Sequence, residues 1–205
     1  DLDTNTAFNV SLLMFLIIYL NKQFSNKLES FMISVKITSI HTPIGPMLAG
    51  GNEAGIYLLE YEDVERVELQ KQRMSSLLDA EFVEGECKHF TELKTQLEEY
   101  FSKNRQDFSI PLVMNGTAFQ KRVWNALLEI PYGQTRSYKQ QAKALESPEA
   151  IRAIAHANGE NRIAILIPCH RVIGADGSLT GYGGGLWRKQ YLLELENAIQ
   201  PGLGF

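Results

Sequence analysis

The chain has 205 residues, 44% of them hydrophobic and 21% charged, with a formal net charge of −4. That balance excludes a disordered, collagen-like or polytopic membrane protein, and the length allows one or two domains with a substantial core. Two cysteines, Cys87 and Cys169, cannot build a disulfide framework and point to a reducing compartment. His41, His89, His156 and His170 show no metal-ligand spacing with them, so neither a metal site nor a cofactor is expected.

Residues 1–31 fall outside the globular pattern. Residues 10–20 are apolar except for Ser11, a run too short for a membrane span of ~20 residues. The acidic flank (Asp1, Asp3) and the lack of a small-x-small site argue against a signal peptide. We take residues 1–31 as an extension translated from upstream of a natural start at Met32. A membrane anchor and an extra packed helix are the competing readings.

Residues 32–112 read as an α+β unit. Ile33, Val35 and Ile37 alternate as in a half-buried strand, residues 42–46 form a Pro/Gly turn, and residues 55–59 read as a second strand. Phe90, Leu93, Leu97, Tyr100 and Phe101 repeat with a helical period. No catalytic constellation is evident in this half, and residues 111–115 read as a link.

Residues 113–205 begin with helix signals in quick succession. Thr117 with Gln120 is a capping box, and the helix it opens should bury Phe119, Val123, Trp124 and Leu127 before Pro131-Tyr132-Gly133. Ser137 with Gln140 is a second capping box, opening a short helix to about Leu145. Ser147-Pro148 should cap a third helix that runs to about Asn158. The last two make a helix-turn-helix, whose second helix carries Arg152 and His156 on one face. Charge divides unevenly: residues 1–112 hold 10 Lys and Arg against 17 Asp and Glu, and residues 113–205 hold 10 against 7. A basic half suggests nucleic acid, although an excess this small is also within ordinary scatter.

Residues 163–167 are continuously apolar and read as a buried strand that ends in Pro168-Cys169-His170-Arg171. A cysteine attacks as the thiolate, and a neighbouring His and Arg supply a base and a positive field. A lone Cys-His pair is otherwise an inert thiol beside a surface imidazole, which is how Cys87 reads. The glycine run at 181–185 is no dinucleotide fingerprint, since Leu186 stands where a third glycine is needed.

Residues 167–173 resemble the active-site signature of the O6-alkylguanine-DNA alkyltransferases, also called methylated-DNA–protein-cysteine methyltransferases. The resemblance spans roughly residues 32–200 and is strongest from Gly116 to Glu196. It includes Phe119-Gln120, Val123-Trp124, residues 130–133, residues 135–138, Arg152-Ala153-Ile154, residues 158–161, residues 177–186 and residues 192–196. It implies an α+β protein with an RNase-H-like N-terminal domain and a mostly helical, winged-helix-like C-terminal domain. The implied activity is suicidal DNA repair, in which the alkyl group of O6-alkylguanine, and of O4-alkylthymine, is moved to a cysteine.

The resemblance assigns roles. Cys169 would be the acceptor, His170 its base through a water, and Glu196 the group that orients His170. Asn161 would support this network. Tyr138 would hydrogen-bond the leaving guanine or its phosphate, and Arg152 would fill the gap left by the flipped base. Ser137, Ala153 and Arg171 would join Tyr138 and Arg152 at the DNA, in the minor groove. Val172, Tyr182, Gly183 and Trp124 would form the substrate pocket. Ala164 and Gly183 stand where some relatives have Pro and Ser, which implies room for alkyl groups larger than methyl. The zinc ligands that some relatives carry in the N-terminal domain are not matched here. The resemblance further implies a monomer without membrane association, cytoplasmic if bacterial. A helix-turn-helix regulator, a lesion binder without transfer and a cysteine hydrolase are the rival readings.

Overall fold

The computed structural model describes residues 32–62 and 65–200, together with Met14. The expectation for residues 1–31 therefore lies outside the described residues. Strands β1 (Ile33–Ile40), β2 (Met47–Asn52) and β3 (Gly55–Tyr61) form an antiparallel meander. Helix α1 (Arg66–Leu78) crosses over to β4 (Ala80–Glu84), which pairs parallel to β1, and the sheet order is β3-β2-β1-β4. Met74 of α1 packs with Val35, Leu58 and Ala80 on one face of the sheet. On the other face Phe90, Leu93 and Leu97 of α2 (Lys88–Phe101) pack with Ala49, Ile56 and Leu59, inside the same core as the C-terminal helices.

All seven residues of β3 are buried because both its faces and its outer edge are covered. Ile56 N donates to Pro111 O (2.9 Å) and Val113 N to Ile56 O (2.8 Å). Further along, Leu59 N donates to Arg162 O (2.8 Å) and Ala164 N to Leu59 O (2.8 Å). The N-terminal sheet thus grips both the linker and the segment leading to Cys169. Close approach at the start of β3 needs Gly55, whose φ is +144° and where a Cβ would lie 2.4 Å from Pro111 O.

Helix α3 (Ala118–Leu128) begins at the Thr117–Gln120 capping box (3.2 and 2.9 Å). Strand β5 (Arg136–Ser137) leads into α4 (Tyr138–Ala144), which begins at the Ser137–Gln140 box (3.1 and 2.7 Å). The third start departs from expectation. A 3₁₀ turn (Pro148–Ala150) precedes α5 (Ile151–Gly159), and Ser147 Oγ donates to Leu145 O (3.2 Å) rather than capping the helix. Gln141 and Asn158 exchange buried amide hydrogen bonds (3.2 and 2.7 Å), locking α4 to α5. A 3₁₀ turn (Cys169–Arg171), strand β6 (Val172–Ile173), parallel to β5, and α6 (Leu186–Leu195) complete the domain.

The strand expected at residues 163–167 is a coiled turn instead. All five residues are buried, as their apolarity implies, but Ile163 alone bridges to Leu59. Ile167 N donates to Ile163 O (3.0 Å) and Leu166 N to Ala164 O (2.8 Å), with Ile165 in the left-handed region at φ +70°. The cause is Asn161. Its amide accepts from Ile163 N (3.0 Å) and donates to Ile167 O (2.8 Å), so one side chain closes the turn from inside. A β-branched residue at positive φ is costly, and here it is held by burial and by these bonds.

Among the described residues no helix is long and apolar enough to cross a membrane.

Candidate active site

The turn brings Cys169 to a pocket that it lines together with Tyr61, Asn161, Ala164, Tyr182 and Gly183. Asn161 Nδ2 also reaches Cys169 Sγ at 3.3 Å. The same amide that shapes the turn is therefore a donor to the thiol, a contact that favours the thiolate.

His170 is fully buried, and its Nε2 lies 2.8 Å from Glu196 Oε1. Burial works against the Glu196 carboxylate, but hydrogen bonds and charge from His170 and Arg171 outweigh it and hold the group well below the usual carboxylate range. An ionised carboxylate only accepts, so Nε2 carries the imidazole proton and Nδ1 presents its lone pair. Nδ1 is buried without a hydrogen-bond partner in the protein. Burial also pushes His170 below its ordinary value of 6.5, against the pull of Glu196, and Arg171 and Lys189 push the same way as burial. The imidazole is neutral at pH 7 and available as a base at Nδ1.

Glu196 is the C-cap residue that follows α6, and it is 1% exposed. Its Oε1 accepts from Tyr100 Oη (2.7 Å), His170 Nε2 (2.8 Å) and Arg171 Nη2 (3.0 Å). Its Oε2 accepts from Arg171 Nε (2.9 Å) and Gly133 N (3.4 Å). Arg171, expected at the DNA, is instead buried. Its fork is committed to Glu196, its Nη1 donates to Ile130 O (2.6 Å), and its guanidinium lies over the Tyr132 ring. Neutralising a buried carboxylate takes precedence over reaching a phosphate.

Two further expectations change. Trp124 is in the core rather than the pocket, 2% exposed, with Nε1 donating to Ala157 O (2.8 Å) to join α3 to α5. Val172 is fully buried in β6, and its carbonyl accepts from Lys189 Nζ (2.6 Å). Tyr182 and Gly183 do line the pocket. Tyr138, the first residue of α4, points its hydroxyl at the carbonyls of Thr180 (3.5 Å) and Gly181 (3.4 Å) in the pocket loop. Ser137 is spent on its cap, while Arg152 and Ala153 stand exposed on α5.

Three site residues carry no motif signal. Lys189 is fully buried on α6, with its ammonium shifted to about 8 by burial, and its charge lies near Cys169. Tyr61 comes from β3 and places its hydroxyl 2.9 Å from that of Tyr182, with Arg188 over its ring at 4.3 Å. Gly184 packs so closely on that ring that a Cβ would lie 2.2 Å from it. Tyr100 comes from α2. Both tyrosines are contributed by the N-terminal half, which had looked empty of chemistry.

A pocket cysteine next in sequence to a buried His-Glu pair, in a domain that also carries a helix-turn-helix, has the parts for covalent chemistry beside nucleic acid. Residues 35–114 match the family model described as the ribonuclease-like domain of 6-O-methylguanine DNA methyltransferase, and residues 118–198 match its DNA binding domain. The chain is 48% identical over 158 residues to the methylated-DNA–protein-cysteine methyltransferase of Methanosarcina barkeri, covering 77% of this chain and 94% of that one. It is 46% identical over 158 residues to the protein of that name from Mycobacterium leprae, covering 77% and 90%. The crystal structure of Mycobacterium tuberculosis OGT in complex with DNA aligns with a TM-score of 0.67 at 42% identity, covering 81% and 94%. The chain belongs to the methylated-DNA–protein-cysteine methyltransferase family.

The relay makes stability acid-sensitive. His170 and Glu196 both sit below their ordinary values, so both stabilise the fold at neutral pH and lose that contribution as they protonate in acid. Thermal melts should show Tm falling as pH drops below 6.5 and more steeply below 4.5. The steeper part should be largely absent in Glu196→Gln, whatever that variant's Tm at pH 7.

Proposed function

We propose that this chain repairs O6-alkylguanine in duplex DNA by moving the alkyl group onto Cys169, once per molecule. The observation that carries this reading is the Cys169 thiol, held by Asn161 in the lining of a pocket and next in sequence to the His170–Glu196 pair. The thiol proton passes to His170 Nδ1, directly or through a water. The thiolate then attacks the alkyl carbon in line: the S–C bond forms, the C–O6 bond breaks, and guanine leaves with the bonding pair. In this reading Tyr138 hydrogen-bonds and protonates the leaving base. A thioether is not hydrolysed by any group near it, so the acceptor is consumed. The same displacement applies to O4-alkylthymine.

The guanine O6 atom is out of reach of this pocket while the base is stacked, so the base must be flipped. Arg152, exposed on α5, is the residue to fill the gap from the minor-groove side, with Ser137 and Ala153 beside it. In this assignment residues 32–112 brace the site, residues 113–205 bind DNA and accept the alkyl group, and the protein works as a monomer. Ala164 and Gly183 both line the pocket, which supports acceptance of groups larger than methyl.

Intact-mass analysis after mixing with duplex O6-methylguanine DNA should show one methyl group per chain, mapped to Cys169. Cys169→Ala should take none, and O6-butylguanine should add one butyl group. Repeated turnover, as expected of a cysteine hydrolase, or labelling elsewhere would overturn the reading. Arg152→Ala should slow transfer from duplex DNA by about tenfold, the rate equivalent of ~1.4 kcal/mol of lost flipping support. Transfer from the free alkylated base should be nearly unchanged, and equal slowing on both substrates would remove Arg152 from this role.

A further inference from the structure

Beside His170, the Glu196 carboxylate has a partner from the other half of the fold. Tyr100 lies on α2, in the match to the ribonuclease-like domain, and is fully buried. Its hydroxyl donates to Glu196 Oε1 at 2.7 Å, the same oxygen that accepts His170 Nε2 at 2.8 Å and Arg171 Nη2 at 3.0 Å. The ring is set by packing, with Phe101 and Phe108 at 5.4 Å and Tyr132 at 6.1 Å between centroids.

We infer that Tyr100 is a positioning residue for the transfer reaction, fixing the Glu196 carboxylate against His170 and restraining the basicity of His170 Nδ1. This rests on Cys169 as acceptor and His170 as base. An oxygen that shares its charge among three donors is a weaker acceptor towards each. Without the Tyr100 hydroxyl, more of the Glu196 charge is directed at His170. The imidazolium is then stabilised, and the base is lost to protonation at a higher pH. Burial keeps the Tyr100 phenol well above its ordinary value, so it remains a donor throughout the working range.

The other groups facing this relay are Arg171 on its own turn, Tyr132 and Gly133 after α3, and Lys189 on α6. Arg171 and Lys189 both oppose protonation of His170. They are present in either form of residue 100, so a difference between the two forms reports on the hydroxyl. Through Tyr100 the N-terminal half takes a chemical part in the reaction.

The test is the pH dependence of the single-turnover rate on duplex O6-methylguanine DNA, followed by intact mass. Tyr100→Phe keeps the ring and removes the donor. Its acid limb should move to higher pH by about half a unit, roughly threefold in rate on that limb relative to the plateau. Site-specific 3-fluorotyrosine at position 100 is a stronger donor, folds with the native ring shape, and should move the limb the other way. Limbs that coincide with wild type in both proteins, while the methyl group still reaches Cys169, would overturn the role of Tyr100 and leave the proposed function standing. Wild-type protein that takes no methyl group on Cys169 would overturn both. A lower Tm with an unmoved limb would mean that the hydroxyl only stabilises the fold.

Discussion

The charge on Glu196 is the constraint around which the rest of the molecule is arranged. An ionised carboxylate with almost no exposure costs several kcal/mol to bury unless its lone pairs are filled. Here four donor residues come from three places in the chain: Tyr100 on α2, Gly133 after α3, and His170 and Arg171 on the turn that also carries Cys169. The group they meet is at the end of α6. Each of these segments must be in place for the charge to be tolerated, so the active site and the packing of the two halves form one problem. The arrangement also fixes chemistry, because a saturated acceptor dictates which nitrogen of His170 bears the proton.

Asn161 does for backbone geometry what Glu196 does for charge. One amide satisfies Ile163 N and Ile167 O inside a buried turn, and reaches Cys169 Sγ as well. The outer edge of β3 then clamps the beginning of that turn through Leu59. A thiol held this way has little freedom to move, and preorganisation of this kind is where much of a covalent catalyst's advantage lies. The pocket loop is held from the same strand, since Tyr61 buttresses both Tyr182 and Gly184.

The local features of this fold were legible in the sequence. Both capping boxes formed because Thr117 with Gln120 and Ser137 with Gln140 interact across a single turn, a range that sequence spacing captures. The apolar run at 163–167 announced burial correctly but not conformation. Continuous apolarity is the same in a buried strand and a buried turn, and the deciding bonds came from Asn161. Arg171 and Trp124 were misplaced because a motif gives proximity in sequence, whereas their partners, Glu196 and Ala157 O, lie far along the chain. Tyr61, Tyr100 and Lys189 left no trace of a place in the site. Each looks like an ordinary core or helix residue until the two halves are packed together.

Burial, helped by Arg171 and Lys189, keeps His170 neutral against the pull of Glu196, while the carboxylate fixes its proton on Nε2 and leaves its lone pair on Nδ1. Nitrogen-15 NMR of histidine-labelled protein tests this most directly, with His170 assigned by its loss in His170→Gln. At pH 7 the account requires a protonated, pyrrole-type shift for Nε2 and a lone-pair, pyridine-type shift for Nδ1. It also requires that His170 remain neutral below its ordinary titration point of 6.5. Protonation of both nitrogens at pH 7, or a proton on Nδ1 instead of Nε2, would contradict it.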